Sequence, residues 1–419
     1  MIDLDRKRSS LRFLSLIVPA ALGLGWTASA RALDLPATGQ TTAYTANKND
    51  GITVAVGVPD DGSVQAGATL SFTDNGDGTI TDTDTGLMWE KKGDNGGLHD
   101  KDNGYYWSGN GSVFQETIWD WLDDVNAEGG TGFAGYDDWR IPNAKELESL
   151  VNFQSVAPMT SVAFNSNCVA GATVFAGSCT AVSNYWSSTT WARSTSMAWG
   201  VSFYEGLLYP YDKASAPRVR AVRGGSSGTG AFPATGQTTA YTANKNDGIA
   251  GAVAVPDDGT VQAGAPLSYT DNGNGTITDN NTGLVWEKKG DNGSLHDKDN
   301  NYWWSGNGAQ ETIWDWLEDV NAEGFGGFSD WRIPNARELL SLVNFQNQWA
   351  VSPAFQTNCV PGATVLTGSC TLQSAYWTST SRTSNPFGSE AWYVDNYGSV
   401  YPTFKSGTLR VRAVRGGTQ

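Results

Sequence analysis

The stretch PATGQTTAYTANKNDG at 36–51 returns letter for letter at 233–248. The two halves then keep step through TGLMWEKK and TGLVWEKK, DDWRIPNAKEL and SDWRIPNAREL, and RVRAVRGG twice. A chain written this way has to fold as two similar bodies. Each copy runs to about 190 residues, well beyond the roughly 20–50-residue units of solenoids, so the copies read as whole domains. The expected boundaries are 33–223 for the first and 232–419 for the second, with a flexible Gly/Ser linker at 224–231 between them.

Within a copy, LSFTDNGDGTITD alternates around Asn-Gly and Asp-Gly, which predicts a β-hairpin, and TGLMWEK continues as a strand. TIWDWLDDVNAE puts Ile118, Trp121, Leu122 and Val125 on one helical face, with Thr117 and Asp120 forming a capping box. PNAKELESLVNF repeats that logic with Asn143 as N-cap, Glu146 three residues on, and Leu147, Leu150 and Val151 facing inward. The stretch from Tyr185 to Arg223 reads as short strands joined by Ser/Thr/Gly loops. Trp89, Trp121, Trp139 and Trp199 fall within patterned elements and are expected in the core, Trp191 on the surface.

The start of the chain reads as an export signal. DRKRSSLR supplies basic residues, FLSLIVPAALGLGW an apolar core, and ASARA small-residue cleavage sites, so residues 1–32 are expected to be removed. No later segment is apolar enough to span a bilayer. The expected location is therefore periplasmic, cell-surface or extracellular. Four cysteines fall in two equally spaced pairs, CVAGATVFAGSC and CVPGATVLTGSC, and in an exported chain these read as local bridges Cys168–Cys179 and Cys359–Cys370. The formal charge of −16 argues against nucleic acid and anionic membrane surfaces as partners.

The ordered series DNGDGTITDTDTGLMWE, LHDKDNGYYW, YDDWRIPNAKELESLV, YWSSTT, AWGVSF and RVRAVRG resembles the DUF1566 or Lcl C-terminal domain family, and does so in both copies. That family is similar to the C-type-lectin-like and formylglycine-generating-enzyme group, where WRIPNAKEL resembles the RLPTEAEWE helix start. The resemblance implies an α+β fold of tandem C-type-lectin-like domains, each with β-hairpins, two helices and a β-rich C-terminal third that displays binding loops. The family's namesake is the terminal domain of a bacterial collagen-like adhesin that recognises glycosaminoglycans. The resemblance thus implies an exported, non-catalytic, adhesin-like recognition protein whose partner is a glycan or a cell-surface protein. The alternatives are a calcium-dependent structural surface protein and an enzyme of the formylglycine type.

Candidate chemistry is sparse. No GxSxG elbow, HExxH motif or phosphate-cradling loop occurs, and an enzyme is not expected. The only histidines, His99 and His296, sit in LHDKDN, where Asp100, Asp102 and Asn103, and Asp297, Asp299 and Asn300, offer the oxygens that calcium takes. Asp74, Asp77, Asp82 and Asp84 offer more. The same residues are also what turns require, because Asp and Asn bond their own backbone and tolerate left-handed geometry. In RVRAVR, Arg218 with Arg220, and Arg410 with Arg412, share a strand face and fit either an anion contact or pairing with carboxylates. Ligand contact is expected where the copies diverge, at Trp191, Arg193, Tyr204, Tyr209 and Tyr211 in the first and Arg382, Phe387, Tyr397, Tyr401 and Phe404 in the second, as two different surfaces.

Overall fold

The structure is a computed structural model that describes residues 33–112, 114–225, 232–246, 248, 251–347, 351–383 and 388–417. The expected leader, most of the expected linker, and Phe387 lie outside the described residues. Among those described, the chain is mostly β-sheet with few helices, and no helix is long and apolar enough to cross a membrane.

The predicted hairpin forms between Phe72–Asp74 and Thr79–Asp82. Its turn is closed by side chains. Asp74 accepts the Gly76 amide at 3.0 Å and Asp77 the Thr79 amide at 3.0 Å, while Gly76 takes the positive φ of 78° that the turn demands. Leu87–Glu90 adds a third strand, and Val222–Gly224, from the closing RVRAVRGG, adds a fourth, so the end of the copy returns beside its start. The second copy builds the same sheet from Tyr269–Asp271, Thr276–Asp279, Val285–Glu287 and Val414–Arg415.

Both predicted helices form with their predicted caps. Ile118–Ala127 carries the Thr117/Asp120 box and Ala144–Glu148 the Asn143/Glu146 box; Ile313–Glu323 and Ala336–Ser341 repeat them. Each such cap is worth about 1 kcal/mol. Ile118, Trp121, Leu122, Val125, Leu147, Leu150 and Val151 are all buried, as their spacing requires.

The copies are not separate bodies. All described residues belong to one compact unit. The last thirds of both copies join in one antiparallel sheet of six strands, in the order Tyr376–Ser381, Glu390–Val394, Val400–Phe404, Leu208–Asp212, Met197–Ser202, Asn184–Thr190. The seam is the pairing of Val400 with Leu208. Beneath it the copies exchange aromatic contacts: Phe153 meets Trp392 edge-on at 4.9 Å, and Phe345 meets Trp199 at 4.9 Å.

The opening arms are exchanged as well. The first arm packs Ala46 and Val58 among Trp304, Trp314 and Trp316 of the second copy. The second packs Ala243 and Val255 among Trp107, Trp119 and Trp121 of the first. Burying one valine contributes roughly 1.5–3 kcal/mol, and polar contacts fix the register. The Asn47 amide donates to Ser305 Oγ at 2.9 Å and the Asn244 amide to Ser108 Oγ at 3.0 Å. Asp61 accepts from Thr38 and Thr380 at 2.6 and 2.7 Å, and Asp258 from Thr235 and Thr189 at the same distances. The molecule is a pseudo-symmetric dimer written as one chain. Sequence repetition could not reveal this, because an arm that folds back on its own copy and an arm that crosses leave the same pattern.

Candidate functional site

The histidines belong to the interior. In WEKK, the strand alternation and the turn after it bring Glu90, Lys92 and His99 together, all buried. Glu90 Oε1 lies 2.7 Å from His99 Nδ1 and 2.7 Å from Lys92 Nζ, while Glu90 Oε2 accepts the Ala221 amide at 2.8 Å. The Lys92 ammonium is outside hydrogen-bond geometry and sits 4.4 Å above the Trp121 ring. His99 Nε2 reaches Glu128 at 2.9 Å, and its ring lies against Phe133. Burial opposes ionisation of Glu90, but Lys92 and His99 outweigh it and hold the carboxyl down at about 2. Burial likewise opposes a charge on His99, and the hydrogen-bonded carboxylates of Glu90 and Glu128 overcome it and raise its pKa. Glu287, Lys289, His296 and Glu323 repeat the arrangement. With both ring nitrogens engaged, the histidine ties a strand, a loop and a helix end together, and no proton-transfer role is needed to explain it.

The acidic loop beside it was the calcium candidate. Carboxylate oxygens of Asp94, Asp100 and Asp102 lie within 4.8 Å of one another, as do those of Asp291, Asp297 and Asp299. Their bonding is that of a turn. Asp100 accepts the amides of Gly96 and Asp102 at 2.6 and 2.9 Å, and these with the Asn95 amide overcome burial and hold its pKa down. Lys101 bridges Asp94 and Asp102 at 3.2 and 2.5 Å. Asn103 and Asn300 turn their amide groups onto main-chain carbonyls at 2.8 Å. A loop that carries its own cation, and whose central carboxylates are spent on backbone amides, does not fit an ion that wants six to eight oxygens.

The RVRAVR arginines divide. Arg220 is buried and donates to the carbonyls of Glu90 and Cys179 at 2.8 Å, and Arg412 makes the matching bonds to Glu287 and Cys370. Neither is presented to an outside anion, and their principal partners are main-chain carbonyls rather than the carboxylates expected. The disulfides Cys168–Cys179 and Cys359–Cys370 are both formed. Trp89, Trp121, Trp139 and Trp199 are core, whereas Trp191, expected at the surface, is half-buried against the central cluster.

A run of half-buried aromatic residues gathers on the six-stranded sheet. Tyr209 and Tyr211 alternate onto one face of their strand, with ring centroids 4.0 Å apart. Across the seam, Tyr209 faces Tyr401 at 6.0 Å, and Tyr401 faces Tyr393 at 6.2 Å. At the edge, Trp191 meets Tyr397 edge-on at 6.4 Å and the Arg193 guanidinium lies over the Tyr397 ring at 4.3 Å. Burial and the nearby Asp395 push the Tyr401 hydroxyl up to about 12, so it stays a neutral donor. Of the residues picked from the divergent segments, Tyr209, Tyr211 and Tyr401 thus form one strip and Trp191, Arg193 and Tyr397 a second group, and each crosses between the copies rather than belonging to one of them. Tyr204 and Phe404 are exposed beyond them, and Arg382 pairs with Glu390 at 3.0 Å. Tyr393 was missed; its signal was the strand alternation that places it opposite Tyr401.

No curated protein matches the chain. The family described as Lcl C-terminal domain matches residues 78–223 and again 275–415, which together take in the second strand of each hairpin, both helix pairs and both halves of the shared sheet. The chain belongs to the Lcl C-terminal domain family and carries two copies of its domain.

Proposed function

We propose that this chain is an exported, adhesin-like recognition protein that binds carbohydrate on the aromatic strip of its shared sheet. The observation that carries the reading is the run Tyr211, Tyr209, Tyr401, Tyr393, with Trp191, Arg193 and Tyr397 beside it. Half-exposed rings on a stiff sheet offer flat apolar faces and hydroxyl donors at little entropic cost, which suits sugar rings. The leader-like start, the two disulfides and the lectin-like relation of the family agree with a protein that works outside the cytoplasm. A non-catalytic role is favoured because all four cysteines are bridged and both histidines are buried in ion pairs. The test is a glycan array probed with and without chelator. Binding that survives chelator and is lost in Tyr209→Ala with Tyr401→Ala supports the reading. Binding untouched by that double substitution, or no glycan binding, overturns it.

A further inference from the structure

The two copies fill corresponding interior spaces differently. In the first, the chain leaves the strand Met197–Ser202 at Phe203, whose amide donates to Ser183 O at 3.0 Å and whose carbonyl accepts the Met159 amide at 2.7 Å. The Phe203 ring is buried edge-on to Tyr185, with centroids 5.1 Å apart and planes at 88°. In the second copy, the matching register, Trp392 to Pro402 as Trp199 to Pro210, brings Asn396 to the place of Phe203. The turn that follows is one residue shorter and is held by Asp395, which accepts the amides of Tyr397 and Ser399 at 2.8 Å. Beside Tyr376, the counterpart of Tyr185, a pocket of about 110 Å³ opens, lined by Leu342, Val343, Val394, Gln373 and Asn396 among others.

We propose that this pocket binds a small uncharged aromatic ligand, a phenyl ring with one hydroxyl or amide substituent. Three features select that chemistry. The volume approaches the roughly 150 Å³ at which an engineered apolar cavity takes benzene. The walls are mostly leucine and valine. Of the two charged residues that also line them, Asp395 is engaged by the amides of Tyr397 and Ser399 and Arg412 by the carbonyls of Glu287 and Cys370. The amides of Gln373 and Asn396 are therefore the groups that select a single polar substituent. The first copy shows what fits: a ring placed on Tyr376 as Phe203 is placed on Tyr185 gains the same edge-to-face contact, worth about 0.5–1.5 kcal/mol beyond its burial. The pocket adjoins the strip through Asp395, which also lies near Tyr401, but it takes a different ligand chemistry, so neither proposal depends on the other.

The experiment is a fluorine NMR titration of the intact chain with 4-fluorobenzyl alcohol, with circular dichroism confirming the fold of each variant. The wild type should show one saturable site per chain. Asn396→Phe should weaken binding at least about tenfold by supplying the missing ring. If that variant does not fold, Leu342→Phe enlarges another lining residue of the pocket and should do the same. Phe203→Ala, which empties the corresponding space in the first copy, should raise the stoichiometry to two. The absence of saturable binding, or binding indifferent to both filling substitutions, overturns the assignment.

Discussion

Glu148 and Leu340 occupy the same position in the two copies, in the helices capped by Asn143 and Asn335, yet one is a buried acid and the other a hydrocarbon. Their partners across the pseudo-symmetry axis differ in step. Arg337 Nε lies 3.4 Å from Glu148 Oε2 and its other nitrogens reach Ala37 O and Val151 O. Lys145, its counterpart, donates to Ala234 O and Ser341 O at 3.0 Å and shares its surroundings with Leu340. The difference shows how each cation tolerates burial. A guanidinium does not shed its proton, and Arg337 has the Glu148 carboxylate beside it, whereas the buried Arg220 and Arg412 are held by main-chain carbonyls instead. A lysine can lose its charge, and burial, only partly countered by Asp279 and Asp258, brings Lys145 down to about 7. The acid is present where the cation is permanent and absent where it is not.

Where the copies agree, they should break equally. Glu90→Ala leaves Lys92 and His99 without the carboxylate they share, and Glu287→Ala does the same to Lys289 and His296. Each should cost about 3–5 kcal/mol in urea unfolding, the usual loss when one partner of a buried pair is removed. Equal losses are expected from the matching geometry; a loss under about 1 kcal/mol in either copy would show that the cluster contributes little.

Where they differ, they should break unequally. Glu148→Leu gives the first copy the residue of the second, but leaves Arg337 without a counter-charge, and a loss of about 3 kcal/mol is expected. Adding Arg337→Lys should restore most of it, since the pair then matches Lys145 and Leu340. If the double variant is no more stable than the single, the coupling between charge type and acid is wrong.

The same contrast has a pH signature. Folding lowers the Lys145 pKa from its ordinary value to about 7, so between these values the unfolded chain binds the extra proton and stability rises with pH. Arg337 has no counterpart effect. Lys145→Arg should therefore flatten the rise above pH 7 in part, leaving the contributions of Lys213 and Lys405, which burial also brings to about 7. Asp61 and Asp258 act in the opposite sense. Burial lifts both to about 7, so the stability they give is full below their ordinary range and is lost as pH rises through 7. Asp61→Asn and Asp258→Asn should each remove an equal share of that fall in melting temperature between pH 4 and 7.

The parts legible in the sequence were those set by short range. The hairpin around Asn75 and Gly76, the capping boxes at Thr117 and Asn143, and the buried faces of both helices follow from local spacing, and the disulfides from paired cysteines in matched loops. What was not legible depended on contacts between segments distant in the chain, within a copy as well as between the copies. That Glu90 and Lys92 are buried cannot be read from WEKK, because nothing local shows that Arg220 and His99 enclose them. Tyr209 and Tyr401 were picked as parts of two surfaces, because the seam between Leu208 and Val400 joins residues far apart in the chain. The divergence that singled out these segments has a packing component.

That packing component gives the smallest effect and the most direct test of it. Gly200 sits under the Tyr211 ring: a Cβ there would meet that ring at 2.9 Å and the Tyr185 carbonyl oxygen at 2.6 Å, of which only the first is relieved by a smaller residue at 211. In the second copy Tyr393 stands at the position of Gly200, and Thr403 at that of Tyr211, so the large residue has moved to the neighbouring strand. One ring fills the space in either arrangement. Gly200→Tyr alone should cost about 1–3 kcal/mol by overpacking. Tyr211→Thr alone should lose part of the burial of a half-covered ring. Together they reproduce the second copy's pair, and the double-mutant cycle should show a favourable coupling of about 1 kcal/mol. A coupling near zero would mean that the two positions drifted independently, and that the exchange of ring and small residue is not what holds this part of the strip in place.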